Sequence, residues 1–531
     1  MNTNTDFGET DPIAPRGDEV VSPPSWIGGV VGLSSGIFAV STGLVVSALG
    51  DSQSSFDLVG GSFIDRTPRW LKELAIQAFG TNDKIALEVG MVGALIIASG
   101  VLGLLSRKRL TPLQFGIVGF GILGALSAFE RDGAGFIAVI APLCGIVAGL
   151  FAAHRLHNYL TTQRELSRMP QQSRVPLGWD RRSFIRTVGA MGALSGGGVF
   201  FARSRELARV QQIEGLTKIP LPPLAVGDEL VVPKINFHPT DPYITPNTSF
   251  YRIDTALSFP RVDREKWKLR IHGLVEREKF FSMDDLLALP QVERIITLCC
   301  VSNQVGGPLI GNAVWRGVLL KDVLESCGIK KNAQQVFSTS LDGWTSGFPI
   351  TAAMDGRDAL IAIGMNGESL PIMHGYPARL VVPGLYGYVS ATKWLSEINI
   401  TTWAEEEGYW IPRGWSRDAP VKTQSRIDVP RQGESIAAGK FRLAGVAWAQ
   451  HTGIEKVEIR IDRGAWQACD LGVDLTEDAW RQWIFDWDAT AGEHTIQVRS
   501  TDKSGYTQTE EVRRVDPDGA TGWHTRTVIV I

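Results

Sequence analysis

Long apolar runs crowd the first part of the chain, and short alternating runs fill the rest. The apolar runs are Ile27–Leu49, Ile85–Leu105, Phe115–Phe129 and Gly135–Ala153, with a shorter, glycine-rich fifth at Thr187–Ala202. The first two reach the roughly 20 residues that a helix needs to cross a bilayer. The third reaches it with its flanks, and Thr111–Pro112 places a cap and a proline at its start. Residues 1–204 are therefore expected to form an α-helical membrane bundle of about five transmembrane helices. Arg107, Lys108 and Arg109 follow the second run. Arg155, Arg164, Arg168, Arg174, Arg181, Arg182 and Arg186 follow the fourth. Positive loops stay in the cytoplasm, which puts the N-terminus inside and everything after about Ser204 outside. The amphipathic stretch Arg69–Leu74 is expected to lie along the outer interface. No helix carries the paired mid-membrane histidines that clamp a haem; His154 and His157 sit at one helix end, and Glu88 lies near a helix start.

A linker with the run Leu221-Pro222-Pro223-Leu224 is expected over 205–234. Residues 235–415 mix periods. Trp267–Gly273 alternates as a strand, and Ser282 with Asp285 forms the cap and acid of a helix start. Over 416–531 the runs Lys440–Leu443, Val457–Ile461, Thr495–Val498 and Thr527–Val530 alternate as half-buried strands, separated by turns such as Asp462–Gly464. This reads as an all-β, immunoglobulin-like sandwich. The fold expected is multidomain: helical bundle, α+β domain, sandwich.

Composition changes this picture little. With 531 residues, a net charge of -3 and 21% charged residues, nothing suggests a nucleic-acid surface. The mean hydropathy of +0.02 averages two unlike halves. Five cysteines are no disulfide framework. Cys144 lies in an apolar run and Cys327 and Cys469 are isolated, so the pair Cys299–Cys300 carries the interest. The apolar lead Arg294–Ile296 runs into these cysteines, followed by Ser302, Asn303, several glycines and Trp315-Arg316-Gly317. A strand here delivers a thiol to a loop. Such a thiolate ligates a metal or attacks a substrate; the plainer reading is two small buried hydrophobes.

Thr297–Gly317 resembles the molybdenum-binding loop of the sulfite oxidase family, a strand ending T-L-x-C-x-x-N followed by W-x-G-V-x-L. The resemblance makes Cys300 the thiolate on molybdenum, Cys299 a neighbour, and Asn303 the loop asparagine. Ile244–Asp254 is similar to the family's T-P-N…F-[FY]-x-R-x-H segment against the pterin. It implies cofactor contacts from Tyr251, Arg252 and Asp254, with Asp254 standing where many members have histidine. Asn366–Trp394 resembles the run M-N-G-x-x-L-P…H-G-x-P-x-R…V-P-G…K-W. That run implies cofactor binding by His374, Arg379, Ser390, Ala391, Thr392 and Lys393. A pterin phosphate and its ring edge need a cation fork, a ring donor from His374, and close backbone at Gly384 and Gly387. By its offset, Asp342 matches a family acid at the pterin. Trp344 falls near the catalytic tyrosine over the metal, a departure. Gln304-Val305 is another, replacing the arginine pair that helps bind the sulfite dianion. His272 reads as structural.

Asp180–Arg186 resembles a twin-arginine export signal ahead of the weakly hydrophobic fifth run, which lacks a convincing cleavage site and is expected to stay as an anchor. That machinery moves folded proteins, as a domain loaded with cofactor in the cytoplasm requires. The expectation is a multi-pass cell-membrane oxidoreductase with molybdenum–molybdopterin as cofactor and an extracytoplasmic catalytic domain. It would perform oxygen-atom transfer on a small sulfite-like or sulfoxide substrate, the direction left open. Electrons would pass to a separate cytochrome or quinone, and the last domain resembles the family's dimerisation domain. The alternatives are a cofactor-free, membrane-tethered binding protein and a transporter. The second lacks the broken, polar midplane helices that such sites use.

Overall fold

Six helices open the described chain of the computed structural model: α1 (Ile27–Leu49), α2 (Ser55–Arg66), α3 (Asp83–Leu105), α4 (Thr111–Phe129), α5 (Gly135–Leu166) and α6 (Arg181–Thr217). The structure describes residues 24–68, 71, 74, 83–130, 135–166, 181–217, 219–226, 230, 242–256, 259–260 and 262–531. Most of the amphipathic stretch 69–74, Arg168, Arg174 and Asp180 lie outside the described residues. The chain falls into two units. One holds Met1–Gly60, Ile85–Glu130 and Ala134–Arg205; the other holds Gly61–Lys84, Arg131–Gly133 and Glu206–Ile531.

Among the described residues, five helices are long and apolar enough to cross a membrane: Ile27–Leu49, Lys84–Leu105, Thr111–Phe129, Gly135–Tyr159 and Arg182–Arg209. They coincide with the five apolar runs. Ile27, Val31, Leu113, Ile117, Ala153, Leu156 and Phe184 form the buried core among them. α1 and α3 touch through glycine: a Cβ at Gly32 would lie 2.0 Å from the Ser99 carbonyl oxygen, and one at Gly103 would lie 2.2 Å from that of Gly28. Small residues let two helix backbones approach this closely where lipid offers no hydrophobic drive. Two features differ from the sequence expectation. α2 fills part of the first loop, and α6 runs on to Thr217, into the stretch read as linker.

In the second unit, ten strands come first: β1 (Lys268–Gly273), β2 (Lys279–Ser282), β3 (Val292–Cys299), β4 (Ile310–Leu319), β5 (Gln335–Ser340), β6 (Thr345–Pro349), β7 (Leu360–Met365), β8 (Glu368–Ser369), β9 (Arg379–Val381) and β10 (Leu395–Thr401). They make two sheets, ordered β2-β1-β10-β5-β6 and β3-β4-β7-β8, with β9 beside β7. Leu269, Ile271, Val336 and Ile398 of one sheet share a core with Val318, Ile361, Ile363 and Leu380 of the other. The helix Met283–Ala288 starts as expected: Ser282 accepts from the Asp285 N–H, and the Asp285 carboxylate accepts from the Ser282 N–H at 2.7 Å. Among the described residues β3 is an edge strand, paired only with β4.

The remaining strands are β11 (Gln424–Val429), β12 (Ser435–Ile436), β13 (Gly439–Trp448), β14 (Ile454–Ile461), β15 (Gln467–Ala468), β16 (Asp470–Leu471), β17 (Arg481–Ala489), β18 (Gly492–Asp502) and β19 (His524–Val530). They form two further sheets, β11-β13-β17-β16 and β12-β19-β18-β14-β15. Ile427, Leu443 and Trp483 of one meet Val457, Ile496, Val498 and Val528 of the other in a common core. The alternating runs of the sequence lie within β13, β14, β18 and β19.

Candidate functional site

β3 ends at Cys299, and the next residue, Cys300, opens a tight loop. The Cys300 N–H donates to Leu309 O at 3.0 Å, and its carbonyl accepts from the Asn303 N–H at 3.0 Å. Asn303 Oδ1 in turn accepts from the Leu309 N–H at 2.8 Å. The loop is thus closed on itself around the sulfur. Both thiols are buried and free. Burial pushes the Cys300 thiol above its ordinary pKa, and Cys299 further still, with Cys300 adding to it. Neither is a thiolate on its own account. A metal cation would supply the missing stabilisation, because metal binding and deprotonation are coupled.

Gly375 gathers the second group. It sits at φ +113°, and a Cβ there would lie 3.1 Å from the Cβ atoms of both Arg379 and Lys393. Only glycine serves such a position. His374 precedes it, is 1% exposed, and points Nε2 at the Asn247 carbonyl at 2.8 Å. Burial takes its pKa down to about 4, helped by Arg379, Lys393 and Arg252. The ring is therefore neutral with its proton on Nε2. What it leaves available is the Nδ1 acceptor rather than the ring donor expected from the sequence.

Arg379 is 5% exposed and lies 4.9 Å from the Trp315 ring centre. Its donors go to backbone carbonyls, Nη1 to His374 at 3.0 Å and Nη2 to Ala391 at 3.3 Å. Burial lowers its pKa to about 10. Lys393 reaches Asp254 at 2.6 Å, and Arg252 Nε reaches the same carboxylate at 2.9 Å. Lys84, which the sequence reading did not single out, also donates to Asp254. Burial alone would raise the Asp254 pKa, but Lys393, Lys84 and Arg252 hold it well below the usual carboxylate range. Burial lowers Lys393 to about 8 against the pull of Asp254.

Tyr251 joins the two groups. A Cβ at Gly387 would lie 4.0 Å from its hydroxyl and 3.9 Å from the Cys299 carbonyl oxygen. Burial, then Cys300 and Cys299, raise its phenol pKa, and Arg379 pulls the other way. Beside it, Phe250 meets His374 edge-on at 5.6 Å.

These residues fit an anionic pterin cofactor with a soft metal. Among the described residues, Lys84, Arg252 and Lys393 share one carboxylate, and Arg379 has none within ion-pair distance. A phosphate answers that imbalance. Among the described residues Asn303 Nδ2 is buried with no oxygen or nitrogen partner, and its amide favours the ionised form of the neighbouring Cys299 thiol.

Other expected residues are placed differently. Asp342 and Trp344 lie on the β5–β6 turn, where Asp342 Oδ1 accepts from the Trp344 N–H at 3.2 Å. Neither makes a polar contact with the Cys300 or Arg379 group. The Thr392 hydroxyl bonds Ser338 and Ser346, both at 2.8 Å, and Ser390 Oγ bonds the Tyr386 carbonyl at 3.0 Å. Both hydroxyls are engaged inside the fold, so Ser390–Thr392 offers backbone rather than side chains. His272 binds Glu397 at 2.8 Å, a structural pairing.

Residues 256–410 match the family described as oxidoreductase molybdopterin binding domain. The chain is 28% identical over 306 residues to human mitochondrial sulfite oxidase, covering 49% of this chain and 56% of that protein. It is 35% identical over 153 residues to the uncharacterized oxidoreductase YuiH of Bacillus subtilis, 29% of this chain and 74% of that one. The sulfane dehydrogenase SoxCD of Paracoccus pantotrophus superposes with a TM-score of 0.48 at 23% identity, over 60% of this chain and 89% of that one. The chain thus spans about half the length of the human relative.

Proposed function

Because the chain belongs to the sulfite oxidase family of molybdopterin-dependent oxidoreductases and uses the molybdenum–molybdopterin cofactor, we propose that it is a membrane-anchored member acting on the extracytoplasmic face. It moves an oxygen atom to or from a small substrate and exchanges electrons with a separate cytochrome or membrane quinone. The observation that carries this reading is the buried thiol of Cys300, closed in its loop at a strand end, with the under-compensated cations Arg379 and Lys393 in the same unit.

When bound, the cofactor supplies the two-electron chemistry at its metal. Cys300 provides the protein sulfur for that metal. Arg379, Lys393 and Arg252 would hold its phosphate, and the His374 Nδ1 acceptor and Asn303 Nδ2 donor would bind its pterin part. Tyr251 and Asp254 complete the wall, with backbone from Ser390, Ala391 and Thr392. By the family resemblance Asp342 would contact the pterin and Trp344 would stand in for a catalytic tyrosine; their turn is tied toward the site by the Leu341 N–H, which donates to the Trp394 carbonyl beside Lys393 at 2.8 Å.

The substrate is neutral rather than a dianion, which favours sulfoxide-type reduction over sulfite-type oxidation. Gln304 and Val305 bring no charge to the loop. Arg426, whose Nη1 reaches the Gly307 carbonyl at 3.1 Å, already faces Asp428 with its Nε at 2.5 Å. Residues 416–531 are the immunoglobulin-like domain, suited to homodimer contacts. The five apolar helices anchor the chain, and Arg181-Arg182 directs export.

The test is metal analysis of membranes carrying the wild type and Cys300→Ser, followed by a screen of sulfite and sulfoxides with artificial electron carriers. Wild type should hold molybdenum, the variant much less, and sulfoxides should be turned over. Equal, negligible molybdenum in both would sink the assignment of Cys300. For export, Arg181→Lys with Arg182→Lys should strand the C-terminal half inside. Continued cleavage by external protease would reduce the pair to a topology signal.

A further inference from the structure

The C-terminal β domain holds the Cys300 loop from both sides. Upstream of the cysteine, the outward edge of β3 is bonded to loops of that domain rather than to a strand. The Thr297 N–H donates to Asp478 O at 2.9 Å, and Gln450 Nε2 donates to Thr297 O at 3.0 Å. The Thr297 hydroxyl accepts from the Trp480 N–H at 2.8 Å and donates to Asn312 Oδ1 at 2.9 Å. Downstream, Arg426 binds the Gly307 carbonyl. A Cβ at Gly306 would lie 2.2 Å from the His524 ring, so the loop rests on that imidazole with no room for a methyl group. Thr297, Gln450, Trp480, Arg426 and His524 are all buried. Asp428 fixes the direction of the Arg426 guanidinium, and the His524 Nδ1 accepts from the Ile427 N–H at 2.9 Å. The two downstream anchors are thus themselves held.

A sulfur that ligates a metal must be kept within about 0.5 Å of its productive position. A loop closed only on itself can still swing as a body about its two ends; anchoring both ends removes that freedom. We infer that the C-terminal domain positions Cys300 through Gln450 and Trp480 on one side and Arg426 and His524 on the other, as part of the metal site rather than an appendage. This rests on the reading of Cys300 as the metal thiolate.

The test uses the full-length protein produced without cofactor. Alkylation of Cys300 by iodoacetamide is followed by mass spectrometry, beside thermal unfolding. Arg426→Ala and Gln450→Ala should each speed alkylation of the folded chain about tenfold, by freeing one end of the loop to open locally. Val457→Ala, which thins the same domain's core but carries none of the anchoring bonds, should lower the melting temperature and leave the alkylation rate alone. If either anchor variant fails to fold, Arg426→Lys, which keeps the charge beside Asp428 but not the fork to Gly307, takes its place. Unchanged rates in the anchor variants overturn the inference. So does a Val457→Ala chain alkylated as fast as they are. In the loaded protein, the anchor variants should lose a sulfur ligand by molybdenum X-ray absorption while keeping the pterin. Full molybdenum in Cys300→Ser would instead overturn the functional assignment, and the cofactor-free alkylation rates would still stand.

Discussion

Acid should destabilise the second unit between neutral pH and pH 4, and two histidines set the amount. Both are buried neutral: His374 with its pKa down at about 4, and His524 at about 3, burial being the main cause in each. Where the folded pKa lies below the unfolded value near 6.5, the unfolded chain binds more protons, so stability falls as pH drops through that gap. By pH 4 each histidine has cost about 3 kcal/mol, at 1.36 kcal/mol per pH unit across the gap. Asp478 opposes them. Burial raises its pKa to about 6, so its folded form gains the proton first and recovers about 2 kcal/mol over the same interval. Asp254, held low, contributes stability that is lost only below about pH 4, its unfolded range. The net loss from pH 7 to pH 4 is roughly 4 kcal/mol. Tryptophan-fluorescence unfolding of the detergent-solubilised protein at half-unit pH steps measures it. His524→Gln keeps an acceptor for the Ile427 N–H and should remove about 3 kcal/mol of that loss, leaving roughly 1. A melting temperature that is flat from pH 7 to 4, or a variant as acid-labile as wild type, refutes the reasoning.

Three other outcomes follow from the geometry. Thr297→Val leaves the Trp480 N–H and Asn312 Oδ1 unpaired in the interior, and should cost about 2–4 kcal/mol in denaturant unfolding, while Thr297→Ser costs under about 1. Arg379→Gln removes the buried cation that has no carboxylate of its own, and should lower the molybdenum and pterin content of purified protein about tenfold or more, with the melting temperature of the cofactor-free chain little changed. Gly32→Leu drives a side chain into the Ser99 carbonyl and should sharply reduce folded yield in detergent, whereas Gly90→Leu, which meets nothing within 4 Å, should be tolerated.

Local pattern carried much of this molecule. The five apolar runs are continuous and uniform, so length alone places those helices. The Ser282–Asp285 box and the alternation around Val457–Ile461 likewise depend on near neighbours. What escaped the sequence depends on distant ones. α2 mixes Asp57 and Asp65 with glycine and is too short and polar to stand out among the apolar runs. α6 continues past Ser204 through polar residues that lack an apolar stripe. The proton on His374 is assigned by Asn247, far away in the chain, and the environment of Asp254 by cations from three separate segments. Thr392 entered through its place in the family-like run, which carries no sign that Ser338 and Ser346 engage its hydroxyl. Nothing near Thr297 announces that three of its partners, Gln450, Asp478 and Trp480, come from beyond residue 449.

The loop-covered rim of β3 has a consequence for anyone who would cut this protein in two. A fragment ending before β11 would uncover the main-chain amide and carbonyl of Thr297 along an otherwise apolar ribbon, Ile295 to Leu298, a template onto which another copy can add its own ribbon. Such a fragment should precipitate or form chains of copies at concentrations where the whole protein stays dispersed.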